Sequence, residues 1–274
     1  MSDQSQKVEI IKSRLCIVTW NIWWRFGPWE QREPAIIQTL ESLDADVIAL
    51  QEVWGDENNN FAHKIADHLG YHHVFASSMD IKGYKFGNAI VSRWPIVRDD
   101  YEMLFGQDET GEGRLALFAE VDGPRGNISV FSTHLNWKYE QSHIRQRQVE
   151  DLARFVDMRR LPTYPPIVCG DFNSEPHSDE IRMLTGLTTC PVEGLVFHDA
   201  WAVAGGGGSG LTWDNSNPHV IVEFEPDRRL DYIFVGRPGP GGAGHIIDCR
   251  LAGDTPIDGV WPSDHFAVVS ELRY

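Results

Sequence analysis

Short aliphatic and β-branched runs, each closed by a polar residue or a glycine, recur along most of the chain. This pattern is typical of β-strands bounded by turns. It predicts ten strands, at Leu15–Trp20, Val47–Gln51, His73–Ser77, Asn88–Ser92, Arg114–Val121, Ile128–Thr133, Ile167–Cys169, Leu230–Val235, His245–Leu251 and His265–Glu271.

Apolar residues at helical spacing lie between some of these runs. They predict four helices, at Glu30–Ser42, Asn60–Leu69, Glu140–Arg160 and Ser178–Thr185. The apolar residues of the third segment share one helical face, so we expect its arginines to face away from the core. Strands interspersed with helices predict a mixed α/β (α+β) fold.

Two glycine-rich segments interrupt the pattern, GGGGSG at residues 205–210 and GRPGPGGAG at residues 236–244. Neither follows a strand and opens a helix as a phosphate-binding loop does, so both are interpreted as surface loops. The chain shows neither a fixed-period repeat nor a break in composition. We therefore expect an N-terminal tail at residues 1–13 and a single domain at residues 14–274.

Composition narrows the function. The 274 residues carry 24 Lys and Arg against 40 Asp and Glu, a formal net charge of −16, which disfavours broad, sequence-independent binding to nucleic acid. The sequence contains neither a transmembrane run nor an apolar signal core, so we expect a cytoplasmic protein. Its four cysteines form no CxxC pair and are interpreted as reduced packing residues.

Six motifs place carboxylate, amide or imidazole groups at the expected strand ends. They are TWN (19–21), LQEVW (50–54), STHLNW (132–137), CGDFNSEP (169–176), LDYIFV (230–235) and SDH (263–265). Each group alone has a structural explanation, such as an Asx turn or the end of a strand. Together they form an oxygen-rich set without a cysteine cluster, which favours one or two hard cations, Mg²⁺ or Mn²⁺, over zinc.

The order and spelling of these motifs resemble the endonuclease/exonuclease/phosphatase superfamily, whose members share WN, QE, a mid-chain TH, GDFN, DY and SDH. GNAIVSRWPI (87–96) and EGR (112–114) are also similar to family segments. The resemblance implies a four-layer α/β/β/α sandwich of two packed mixed sheets flanked by helices, with the site at one end. It also implies a metal-dependent hydrolase of phosphate esters.

The resemblance and the residue chemistry together suggest a role for each group. Glu52, Asn21 and Asp264 are expected to hold the metal, and Asp171, supported by Asn173, to orient and deprotonate the attacking water. His265 is expected to contact a phosphoryl oxygen while Asp231 fixes its ring. His134 is a second imidazole for the phosphoryl or leaving group. Arg114 is interpreted either as a phosphate contact or as a partner of Glu112.

Three functions are alternatives, and the first two differ in substrate. The acidic balance, together with tryptophans beside the motifs, favours a small or lipid-derived phosphoester, with Trp23, Trp137 and Asn136 as binding residues beside Arg114. Nucleic acid is the second choice, because family nucleases often have an acidic residue where this chain has Trp23. The third is a catalytically dead scaffold. No protein partner is evident.

Overall fold

The computed structural model describes residues 9–274 and contains two six-stranded β-sheets. Their strand orders are β11-β12-β1-β2-β4-β3 and β5-β6-β7-β8-β10-β9. The strands are β1 (Arg14–Asn21), β2 (Val47–Gly55), β3 (His72–Ile81), β4 (Tyr84–Ser92), β5 (Ile96–Met103), β6 (Leu115–Gly123), β7 (Gly126–His134), β8 (Ile167–Asp171), β9 (Phe197–Asp199), β10 (Asp231–Gly236), β11 (Ile246–Ala252) and β12 (Ala267–Arg273).

The helices lie on the outer faces of the sheets and in the connections. They are α1 (Trp29–Leu43), α2 (Phe61–Leu69), α3 (Gln107–Thr110), α4 (Ser142–Arg159), α5 (Asp179–Thr185) and α6 (Ala200–Ala204). All ten predicted strands and four predicted helices are present, whereas β5, β9, α3 and α6 were not predicted. Among the described residues, no helix is long and apolar enough to cross a membrane.

Three apolar clusters define the layers. Strand β1 shows how alternation builds two of them, because Leu15 and Ile17 pack between the sheets while Val18 and Trp20 pack beneath α1 and α2. A third cluster lies between the second sheet and helices α4 and α5. The order is therefore helices, sheet, sheet, helices, which confirms the predicted α/β/β/α sandwich.

Strand direction brings the motifs to one edge of the sandwich. Strand β1 ends at Asn21, and β12 runs antiparallel to it, so the residues that precede β12 lie beside that end. In the second sheet Asp171 at the end of β8 pairs directly with Asp231 at the start of β10. The expectation that every motif group follows its strand was therefore wrong for Asp231 and His265, which lie where their strands begin.

The arginines of α4 do not all face away from the core. Arg145 is buried, and its Nε donates a hydrogen bond of 2.7 Å to Oε1 of Glu180, which is also buried. This correction has a simple cause, since Glu180 in α5 supplies the partner that a buried guanidinium needs. The predicted tail lies partly outside the described residues; of the part that is described, Ile11 donates its backbone N–H to Gly241.

Candidate active site

A buried aspartate–histidine pair lies at the edge where the motifs converge. Nδ1 of His265 lies 2.8 Å from Oδ2 of Asp231, and its other ring nitrogen, Nε2, lies 3.8 Å from Oδ2 of Asp171. Burial alone would lower the pKa of His265, but the negative charges of Asp231 and Asp171 outweigh burial and raise the pKa to about 10. The imidazole is therefore positively charged at neutral pH.

Asp171 is held from three sides. Its Oδ2 accepts a hydrogen bond of 3.0 Å from Nδ2 of Asn21, and its Oδ1 accepts the backbone N–H of Asn173. Nε2 of His134 lies 3.5 Å from Oδ2. Burial and the nearby charge of Asp231 raise the pKa of Asp171 above the usual range for an aspartate, which makes it a stronger base than a free carboxylate.

Glu52 owes its position to a β-bulge. The register between β2 and β4 shifts between Leu50 and Val53, and Glu52 has a φ of 56°. Its Oε1 accepts a hydrogen bond of 3.2 Å from Nδ2 of Asn21. Its neighbour in sequence, Gln51, points instead between the sheets and donates to Oγ of Ser132 at 3.1 Å.

The oxygens of Glu52 and Asp264 suit a hard cation. Oε2 of Glu52 is buried and has no hydrogen-bond partner within residues 9–274. Burial, with repulsion from Asp264, raises the pKa of Glu52 to about 7, and burial raises that of Asp264 to about 6. A divalent cation would stabilise the charged forms of both carboxylates. Asp171, Asp231 and His265 also offer ligand atoms within 4.8 Å of one another, but the raised pKa of His265 indicates that both of its ring nitrogens carry a proton and so have no lone pair for a metal.

His134 and Arg114 bring imidazole and guanidinium groups to the same place. Burial, with the positive charges of Arg114 and His265, holds the pKa of His134 well below its usual value, so this ring is neutral. Arg114 is buried, and Nη2 donates a hydrogen bond of 3.0 Å to Glu112, while Nη1 has no partner in the described part of the chain. The pairing of Arg114 with Glu112 is therefore present, and its contact with phosphate stays a prediction.

These groups open into a cavity of about 610 Å³. Its lining includes the predicted residues Glu52, Arg114, His134, Asp171, Asn173, Asp264 and His265, as well as Trp23 and Trp137. Asn136 is the exception among the predicted binding residues. It is fully buried, donates to Gln141 and accepts from Gln148, so its side chain supports the β7–α4 connection and does not face the cavity.

Sequence reasoning missed three residues that hold the site together. Arg32 in α1 is buried and donates five hydrogen bonds to backbone carbonyls. Oγ1 of Thr212 accepts the backbone N–H of Asp231, and its carbonyl accepts that of Phe266. Asn217 donates to the carbonyl of Ser263 at 2.8 Å. Their partners are main-chain atoms, which every residue carries, so no sequence motif reveals these contacts.

The family model described as "Endonuclease/Exonuclease/phosphatase family" matches residues 18–265. The chain belongs to this family. Its members in the comparison include "Protein angel homolog 2" from Danio rerio, which is 30% identical over 57% of this chain and 30% of that protein. A "Putative neutral sphingomyelinase" from Drosophila melanogaster is 24% identical over 94% of this chain and 60% of that protein. The chain thus spans under two thirds of either relative.

Solved structures support the family fold. The crystal structure of Danio rerio TDP2 complexed with single-strand DNA product superposes with a TM-score of 0.74 and 19% sequence identity. The superposition covers 96% of this chain and all of that chain. The two mixed sheets pack face to face with helices outside, and the motif groups named above lie at one edge.

Proposed function

We propose that this protein is a divalent-metal-dependent hydrolase of phosphate esters, acting on a small or lipid-derived phosphodiester or phosphomonoester. The observation that carries this proposal is the buried imidazole of His265, which is held by Asp231 and faces the buried carboxylate of Asp171. Phosphoryl transfer to water needs both a base and a fixed positive charge near the phosphoryl oxygens.

Asp171 is the proposed base. Its raised pKa still leaves it ionised at pH 7 to 8, and the amide of Asn21 and the N–H of Asn173 fix both of its oxygens. It would orient a water molecule and accept its proton. Asn173 donates Nδ2 to the carbonyl of Leu135, so its side-chain position is fixed beside that water.

His265 is the proposed electrophilic group. The hydrogen bond from Nδ1 to Asp231 leaves Nε2–H available for a phosphoryl oxygen. The neutral state of His134 favours donation of a hydrogen bond to the phosphoryl group over protonation of the leaving oxygen. Nη1 of Arg114 would supply a second fixed positive charge on the same cavity wall.

Glu52 and Asp264, with Asn21 beside them, are the proposed metal-holding residues. The unpartnered oxygen of Glu52 and the oxygen-only donor set fit Mg²⁺ or Mn²⁺ better than zinc. When bound, such an ion would neutralise phosphate charge and lower the pKa of the attacking water. In the orientation described, Asn21 donates its amide to Glu52 and Asp171, so we assign it to positioning them.

Charge supports a small or lipid-derived substrate. The acidic surplus disfavours a long polyanion. Helix α4 could have offered a basic face, but each of its arginines, and Arg160 directly after it, contacts an acidic partner. The pairs are Arg145 with Glu180, Arg147 and Arg154 with Glu150, Arg159 with Asp100, and Arg160 with Asp157. The relative named as a putative neutral sphingomyelinase agrees with a phosphodiester of lipid origin.

Nuclease activity is the second candidate, favoured by relatives. One is named a probable RNA exonuclease, from Schizosaccharomyces pombe, and the TDP2 structure contains a DNA product. A substrate panel separates the candidates: a bis-aryl phosphate, a mono-aryl phosphate, sphingomyelin, and single-stranded and duplex DNA, each with Mg²⁺, Mn²⁺ or EDTA. Preferential, salt-sensitive DNA cleavage would overturn the first choice. Activity on none, without metal binding, would support a scaffold.

A further inference from the structure

Trp23 occupies a fixed position at the mouth of the cavity. It lies in the loop between β1 and α1 with a φ of 57°, and its indole ring centroid lies 4.7 Å from that of His219. The guanidinium of Arg32 lies 4.7 Å from the same indole ring. A Cβ added at Gly27 would lie 2.6 Å from Trp23, so the loop leaves this ring little room to move.

His219 belongs to a different loop, between α6 and β10. Its backbone N–H donates to Oδ1 of Asn217, whose Nδ2 in turn donates to the carbonyl of Ser263 at 2.8 Å. Burial, with the charge of Arg32, lowers the pKa of His219, so its ring is neutral. The contact with Trp23 therefore joins two loops through uncharged rings.

Hydrogen bonds of the two loops place the contact between Trp23 and His219 near the carboxylates of Glu52 and Asp264. Trp24 donates its backbone N–H to the carbonyl of Glu52 at 3.0 Å, and Arg32 bonds both Trp23 and Pro262. Asn217 holds the other loop beside Ser263. We call the two rings the Trp23–His219 wall; it lies on the side of the cavity that carries Glu52 and Asp264.

We infer that the Trp23–His219 wall closes the cavity on that side and restricts the substrate to phosphodiesters with one small ester group. The inference rests on the proposed phosphodiesterase function and deepens it. A phosphate inside a polymer carries a large group on each ester oxygen, and one of these would collide with the wall. A diester that is small on one side avoids the collision, since its large group can lie along other parts of the cavity lining, such as the half-exposed Trp137.

The test compares two diesters with the same leaving group. Methyl 4-nitrophenyl phosphate is small on one side, whereas thymidine 5′-(4-nitrophenyl phosphate) is large on both. We expect the wild type to prefer the methyl ester in kcat/KM. Trp23→Ala and His219→Ala, which remove opposite halves of the wall, should each raise the relative kcat/KM of the thymidine ester about tenfold or more, a magnitude typical of steric discrimination in a pocket.

Two further variants make the comparison specific. Trp23→Phe keeps a ring and should stay near the wild-type ratio. Tyr101→Ala removes an exposed aromatic side chain from edge strand β5, outside the cavity lining, and should leave the ratio unchanged. His219→Ala also serves if Trp23→Ala fails to fold, because His219 is only partly buried.

The outcomes separate this inference from the proposed function. A ratio that stays at the wild-type value in both Trp23→Ala and His219→Ala overturns the wall, as does a wild type that prefers the thymidine ester. Failure of the wild type to hydrolyse either ester in the presence of Mg²⁺ or Mn²⁺ would instead overturn the phosphodiesterase function on which the inference rests.

Discussion

Arg32 gives the most quantitative prediction. Its guanidinium is buried in α1 and donates to the carbonyls of Ile22, Trp23, Trp24, Phe26 and Pro262 at 2.8–3.0 Å. Those five bonds join the Trp23 loop to the loop that carries Asp264. Nη1 and Nη2 carry four hydrogens for these five carbonyls, so one hydrogen is shared. Arg32→Lys keeps the positive charge but offers three hydrogens on one nitrogen, so about two of the five carbonyls lose their partner.

The cost can be worked from that count. A buried carbonyl without a donor costs about 1–3 kcal/mol, so the loss of two partners in Arg32→Lys should lower the free energy of unfolding by about 2–6 kcal/mol. For a protein of this size that corresponds to a fall in Tm of roughly 4–20 °C. Urea denaturation followed by fluorescence measures the free energy, and calorimetry measures Tm.

A matched substitution controls for the change of side chain itself. Arg93 is half-exposed and pairs with Asp44 and Asp46 at the surface, so Arg93→Lys should cost less than about 1 kcal/mol. The reasoning is refuted if Arg32→Lys and Arg93→Lys destabilise the protein equally. If Arg32→Lys lowers stability but does not weaken Mn²⁺ binding, the five hydrogen bonds of Arg32 stabilise the fold and do not contribute to the metal site.

Three further predictions concern charge. In protein freed of metal, Glu52→Gln should raise the free energy of unfolding at pH 8 by up to about 3 kcal/mol, because the pKa of Glu52 is raised from 4.5 to about 7. The gain should vanish near pH 4, and chemical denaturation at both pH values measures it. Mn²⁺ should raise the Tm of the wild type but not of Glu52→Gln, and an equal rise in both would contradict the proposed metal site. Burial raises the pKa of Glu180, but hydrogen bonds from its backbone N–H, Arg145 and Ser174 together bring the pKa below the usual value. The wild type should therefore be more stable than Glu180→Gln at pH 7, and this difference should shrink as the pH falls below about 4. A difference in stability that does not depend on pH would contradict this.

Local pattern was enough to predict the central strands, because they are buried on both faces and form nearly continuous apolar runs. Edge strand β5 was not predicted, because it is mostly exposed and its residues Arg98, Asp99 and Asp100 interrupt any apolar pattern. Strand β9 has three residues, too few to show a period. The helix arginine Arg145 was misplaced because its buried partner Glu180 lies 35 residues away.

The motifs indicated which residues gather at the cavity but not how they are held. Asp231 and His265 lie at the starts of β10 and β12, which only the antiparallel pairing with β8 and β1 explains. The bulge that turns Glu52 and the carbonyls that Arg32 binds are features of the backbone. Such contacts form only in the packed fold, so they cannot be predicted from the order of residue types in the sequence.

The most direct test of the account is hydrolysis of methyl 4-nitrophenyl phosphate with Mg²⁺ or Mn²⁺ by the wild type, Asp171→Ala and His265→Ala, with folding verified by circular dichroism. The account predicts metal-dependent turnover by the wild type and a fall in kcat of roughly 10²-fold or more in each variant. Undiminished turnover in either folded variant would contradict it.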